Sequence, residues 1–141
     1  MGYTHYWTLE KPITQEFFDS VRDRVKAIVE TAREAGIPME TDFGIDGFAI
    51  NGQAEGAHET FSINVEDNDF NFCKTAQKPY DAVVTAILIL LKKELGDSIK
   101  ITSDGSWRNW EGGRLLFETV FDEQPESVLF SYFKVSKDST E

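Results

Sequence analysis

Pro79-Tyr80-Asp81-Ala82-Val83-Val84-Thr85-Ala86-Ile87-Leu88-Ile89-Leu90-Leu91-Lys92-Lys93-Glu94-Leu95 is a nearly uninterrupted apolar run, longer than a typical strand, with Pro79 at its start and Gly96 just past its end. Proline suits the first turn of a helix and glycine the position after the last, so the run predicts a largely buried helix. Its most apolar stretch, Ala86 to Leu91, is far too short to span a bilayer and is closed by Lys92 and Lys93.

Working outward from this helix, the upstream runs Gly47 to Asn51 and Thr60 to Val65 alternate and are joined by a Gly-containing link, the pattern of a hairpin. The second run is expected to continue, after a turn at Asp67-Asn68-Asp69, into Phe70 to Cys73. Further upstream, Phe17, Phe18, Val21, Val25, Ile28, Val29 and Ala32 recur at three- and four-residue spacing between Pro12/Thr14 and Gly36/Pro38, which predicts an amphipathic helix. Tyr3 to Leu9 alternates with period two and reads as a first strand. Downstream, Ser98 to Thr102 reads as a strand ending in the turn Ser103-Asp104-Gly105. Trp107 to Phe121 predicts a third helix, and Val128 to Val135 an edge strand. The resulting order, β-α-β-β-α-β, is that of an α+β ferredoxin-like sheet with helices on one face. Residues 1–136 are expected to form a single domain, with 137–141 as a loose tail.

Forty per cent hydrophobic residues, with eleven Phe, four Tyr and three Trp in 141 positions, is enough for a packed core without staples. Cys73 is the only cysteine, so no internal disulfide forms, and a reducing, cytoplasmic setting is expected. The start Met1 to Trp7 lacks the features of a signal peptide, and Tyr6 stands where a myristoylation signal needs Ser or Thr. Neither a membrane partner nor direct nucleic-acid binding is expected of a chain with net charge −11. That charge is uneven. Between Arg33 and Lys74 there is no Lys or Arg, while Glu34, Glu40, Asp42, Asp46, Glu55, Glu59, Glu66, Asp67 and Asp69 accumulate. From Cys73 to Arg114 the basic residues prevail.

Phe72-Cys73-Lys74-Thr75-Ala76-Gln77-Lys78-Pro79-Tyr80-Asp81 is the most unusual segment. With Pro79 in the first turn of the buried helix, free backbone donors and the positive end of the helix dipole lie beside Lys74 and Lys78, a combination that favours a phosphate or carboxylate. Solvated lysines with Thr75 as a plain helix cap is the alternative. In the turn Ser103-Asp104-Gly105-Ser106-Trp107-Arg108, Asp104 could accept hydrogens from a ribose or base and Arg108 could make bidentate contacts to phosphate; an Asp-Gly turn followed by a core Trp is the plainer reading. Tyr3, His5 and Trp7 share one face of the first strand, where they could stack a base or pack the core. A buried His5 would need partners for both nitrogens, which makes it the best single candidate for a titrating group. His5, His58 and Cys73 have no metal-ligand spacing, so neither metal nor cofactor is expected. There is no P-loop, nucleophile elbow or dinucleotide fingerprint, and no catalytic residue is assigned.

The start Gly2-Tyr3-Thr4-His5-Tyr6-Trp7, the block Phe72-Cys73-Lys74-Thr75-Ala76-x-Lys78-Pro79-Tyr80-Asp81 and the Ser103-Asp104-Gly105 turn resemble a family of small bacterial and phage proteins, over residues 2 to about 121. The resemblance implies a shared pattern of positions, but neither a reaction nor catalytic roles. A phage setting implies antagonism of host defence, including sequestration of nucleotide signals.

The expected function is thus non-enzymatic binding of a small phosphorylated ligand such as a nucleotide. Lys74, Lys78 and Arg108 would meet phosphate, Tyr3, Trp7 or Trp107 would stack on a base, and His5, Tyr80 and Asp104 would complete the site. A second subunit would be needed to close a cavity on so small a domain, which makes a homo-oligomer an expectation. Two alternatives stand beside this: an acidic mimic of nucleic acid that blocks a nucleic-acid-binding protein, and a small phosphodiesterase or hydrolase using His5 with Asp81 or Asp104.

Overall fold

Thr14 opens the first helix, α1 (Gln15–Glu34), by accepting the Phe17 N–H on its side chain at 3.0 Å, and Gly36 follows its end at φ 98°. Its apolar stripe, from Phe18 through Val21, Val25 and Ile28 to Ala32, is buried. The second helix, α2 (Asp81–Leu95), is buried without a break from Val83 to Leu91, as an all-round apolar helix must be. The third, α3 (Glu111–Phe121), packs against it after a 3₁₀ turn at Arg108–Trp110. The described residues also form six strands, β1 (Thr4–Leu9), β2 (Met39–Phe43), β3 (Gly47–Gly52), β4 (Phe61–Asn64), β5 (Asp69–Lys74) and β6 (Ile99–Ser103). The computed structural model describes residues 2–130.

The α+β class expected from the sequence is the observed one, and the β3–β4 hairpin pairs antiparallel as its alternation implies. A single ferredoxin-like sheet is not what the strands form: among the described residues they divide into two three-stranded sheets, β5-β1-β6 and β2-β3-β4. Two differences account for this. Met39–Phe43, read from sequence as part of an acidic loop, is a strand that pairs with β3, its exposed Glu40 and Asp42 alternating with Met39, Thr41 and Phe43. The chain after Asp67-Asn68-Asp69 does not extend the hairpin; it turns to pair with β1, Thr4 opposite Lys74 and Leu9 opposite Asp69. β6 takes the other side of β1, with His5 opposite Ser103. Of the expected edge strand, Val128 to Phe130 is described, and Leu129 bridges Ile101 in parallel. The remainder, like the expected tail at 137–141, lies outside the described residues.

β1 turns His5, Trp7 and Leu9 into the core and leaves Tyr6 and Thr8 on the outer side of its sheet. α2 packs on β6 from the core side, so its start is held against the end of the sheet where β1 begins.

The closest approach of α3 to α2 depends on Gly113: a β-carbon there would lie 1.9 Å from Thr85 Oγ1, whereas one on Gly112 would sit 3.4 Å from Ala82 Cβ. Gly113→Ala is therefore expected to cost about 1–3 kcal/mol by pushing the helices apart. Gly112→Ala should be neutral or stabilise by up to about 1 kcal/mol through helix propensity. Urea unfolding of the two variants checks this, and equal responses would refute the packing.

Candidate functional site

His5 is 0% exposed, and both its ring nitrogens are bonded. Nε2 lies 2.6 Å from Asp81 Oδ1 and Nδ1 lies 2.8 Å from Ser103 Oγ. A carboxylate can only accept, so Nε2 carries a proton, and in the neutral ring Nδ1 accepts from the Ser103 hydroxyl. Ser103 Oγ in turn accepts the Gly105 N–H at 2.9 Å and the Trp110 Nε1–H at 3.2 Å, which uses its whole bonding capacity. Thr75 donates to the same Asp81 oxygen at 2.6 Å. Two rings enclose the imidazole edge-on, Tyr3 at 5.2 Å and Trp110 at 5.0 Å. The three sequence blocks thus meet at one buried side chain.

Tyr3 closes the top of this cluster. Its hydroxyl is buried without a hydrogen-bond partner among the described residues and lies where a β-carbon on Gly105 would come within 2.1 Å, so a side chain at position 105 would displace the Tyr3 ring. Burial first, and the Asp81 charge second, push the Tyr3 pKa up to about 12. The Tyr3 carbonyl accepts the Thr75 and Ala76 N–H groups at 3.1 and 3.2 Å, which fixes the loop after β5 to the start of β1. On the other side Asp104 takes the Thr4 N–H at 3.0 Å and the Tyr6 hydroxyl at 3.2 Å, while its own N–H returns to the Thr4 carbonyl.

The expected anion site at the start of the second helix takes a different form. The helix begins at Asp81, and the N–H groups of Asp81, Ala82 and Val83 are bonded to the carbonyls of Lys78, Pro79 and Tyr80. Those donors are occupied, and a carboxylate already stands at the positive end of the dipole. Thr75 bonds that carboxylate rather than capping the backbone. Lys74, Lys78 and Arg108 nonetheless come to the same end of the sheet, because the order β5-β1-β6 sets the ends of β5 and β6 beside the start of β1. Among the described residues no side chain pairs with any of the three.

Trp7 and Trp107 are buried, Trp7 edge-on to Phe61 and Trp107 between Trp110 and the Arg114 guanidinium, so neither offers a face to a base. Tyr80 is fully buried and donates to the Glu59 carbonyl. On the outer side of the same sheet Phe70 and Phe72 are exposed and the half-buried Tyr6 lies beside them. Sequence reasoning passed over them, as it did Ser103 as a partner of His5 and Trp110 as its lid. Period-two alternation was the available signal: it puts Tyr6 opposite in sense to Tyr3, His5 and Trp7.

Cys73 is buried, and burial together with the Glu59 charge pushes its pKa up to about 12, which leaves a thiol and no nucleophile. Within the acidic stretch, Glu59 accepts the Lys74 N–H and Asp67 the Asn64 N–H, so these two carboxylates hold local structure. A hollow of about 350 Å³ on the β2–β3 sheet is rimmed by Glu40 and Asp42 and lies away from the cluster. No group of His, Cys, Asp and Glu among the described residues is placed to hold a metal, and none of their helices is long and apolar enough to cross a membrane. No family model, curated protein or solved structure matches the chain.

Removing one partner of a buried charge-assisted bond leaves the other unsatisfied, so Asp81→Ala should cost about 3 kcal/mol. Exposed Asp97→Ala should stay within about 0.5 kcal/mol. Denaturant titration checks this, and similar losses would show that Asp81 does not hold His5. A second expectation concerns pH. Cys73 rises from 9.0 and Tyr3 from 10.0 to about 12 on folding, so both keep protons that the unfolded chain releases. Their contribution is complete below about pH 9 and is lost as pH climbs toward 12. Unfolding free energies measured from pH 8 to 11 should fall, and fall less in Cys73→Ala; equal slopes would sink the assignment.

Proposed function

We propose that the protein binds a small phosphorylated ligand, a nucleotide by preference, at the end of the β5-β1-β6 sheet, and does not turn it over. The observation that carries this reading is that the segments bearing Lys74, Lys78 and Arg108, which have no side-chain partners among the described residues, lie at the end of the sheet held by the bonded His5 cluster. Cations on a preorganised frame favour phosphate, Arg108 as a planar fork and the lysines as point charges. The exposed Asp104 could accept from a ribose hydroxyl. Binding without turnover follows from the cluster itself, since His5 has no exposed atom to offer and the Ser103 oxygen has no free lone pair. Such a protein acts by holding its ligand, which fits sequestration.

One observation favours a second reading. Ser103, His5 and Asp81 stand in a chain of 2.8 and 2.6 Å bonds, the order of a nucleophile, base and orienting acid. A hydrolase of this kind would have to break two of the three bonds at Ser103 to expose it. The acidic-mimic reading has less support, because Glu59 and Asp67 are bonded within the fold.

Calorimetric titration with nucleoside mono- and triphosphates and cyclic nucleotides is the test. Charge-assisted contacts contribute about 1.5–3 kcal/mol each, so Lys74→Ala or Lys78→Ala should weaken binding roughly tenfold to more than a hundredfold, and added salt should reproduce part of the loss. A nucleotide whose affinity ignores both substitutions and salt would place the site elsewhere. Product found by chromatography, and abolished in Ser103→Ala, would decide for the hydrolase.

A further inference from the structure

Phe70 and Phe72 are 58% and 56% exposed on the outer face of β5, and Tyr6 of β1 lies beside them, in register opposite Phe72. The rings form a continuous surface: Tyr6 stacks on Phe70 at 6.1 Å and 22°, and Phe70 adjoins Phe72 at 6.0 Å and 40°. Scattered exposed apolar residues need no explanation, but three contiguous rings on one sheet face do.

The next residue of β5 in the same alternation is Lys74, so one strand face reads aromatic, aromatic, cation toward the end of the sheet where Lys78 and Arg108 also lie. Thr8 and Thr102 stand beside the rings and supply hydroxyls, and Lys100, ion-paired to Glu10, borders the face on β6.

From this juxtaposition we infer that the β5-β1-β6 face stacks unpaired nucleobases, so that the phosphorylated ligand is a short single-stranded oligonucleotide; this rests on the phosphate reading above. Stacking rings that lead into a basic end are the combination by which sheets hold single strands, the rings taking the bases and the cations the backbone. A duplex hides the base faces that these rings would meet. A second copy is the poorer occupant, because pairing would set two chains of net charge −11 against each other and leave Lys74 with no anionic group supplied to it. The same net charge opposes a long polyanion, which limits the ligand to a few nucleotides and explains why composition alone predicts no nucleic-acid binding.

The test is fluorescence anisotropy on the full chain with labelled hexathymidylate, competed by thymidine monophosphate and by pyrophosphate. The hexanucleotide should bind at least tenfold more tightly than either competitor. Phe70→Leu and Phe72→Leu keep an apolar side chain but remove the ring; each should weaken the hexanucleotide roughly fivefold to a hundredfold and leave pyrophosphate unchanged, while Phe70→Tyr should retain affinity. A hexanucleotide no tighter than pyrophosphate overturns the stacking inference and spares the phosphate reading. No binding by any probe overturns both. If the leucine variants leave hexanucleotide affinity intact and instead turn a dimer into a monomer by light scattering, the face belongs to a second copy and the inference fails.

Discussion

A buried imidazole has two nitrogens to satisfy, and at His5 the partners come from residues 76 and 98 positions further along the chain. Leaving either nitrogen unpaired would cost on the order of 1–3 kcal/mol, a sizeable part of a small domain's stability. The bonds therefore fix where three remote segments go: β1 carries the ring, the first residue of α2 brings Asp81, and the last residue of β6 brings Ser103. Each partner is itself committed, Asp81 by Thr75 and Ser103 by Trp110 and Gly105. A fully satisfied polar network of this kind specifies one arrangement where apolar packing would tolerate several.

The apolar packing supplies most of the favourable energy but less of the uniqueness. α2 is buried on all sides and could slide or rotate against its neighbours with modest loss, since apolar contact is not directional. Gly113 against Thr85 and the Asp81–His5 bond remove that freedom, one by close approach and the other by geometry. The strained loop between β5 and α2 belongs to the same constraint. Ala76 and Gln77 both adopt positive φ, a conformation that non-glycine residues hold only when their surroundings impose it, and the Tyr3 carbonyl binds the Thr75 and Ala76 amides there.

The helices were legible because their signals are local: Thr14 and the three–four spacing for α1, and the long apolar run closed by Gly96 for α2. The division into two sheets was not, since alternation tells which way a side chain faces and not which strand lies beside it. β2 was hidden by Glu40 and Asp42, whose charges made an outward strand face read as a loop. At the site, the motif blocks and the need of His5 for two partners could be read from sequence. The consequence of parity was missed. Tyr3, His5 and Trp7 do share a face, but it is the inner one, so the residues chosen for stacking pack the cluster and core while Tyr6 faces out. Ser103 was unrecognisable as a partner of His5, because a serine before Asp-Gly is what a turn alone would select.

The charge distribution gains its meaning from this architecture. Most of the acidic residues of the stretch from 34 to 69 lie on or around the β2-β3-β4 sheet, and Lys74, Lys78 and Arg108 at one end of the other. At physiological salt an exposed charge is screened beyond about 8 Å, so a phosphate at that end responds chiefly to the charges nearest it, the three cations and the Asp104 carboxylate, and little to the acidic residues of the other sheet. Net charge −11 and a local basic site are therefore compatible for a short ligand, whose charges stay near that site.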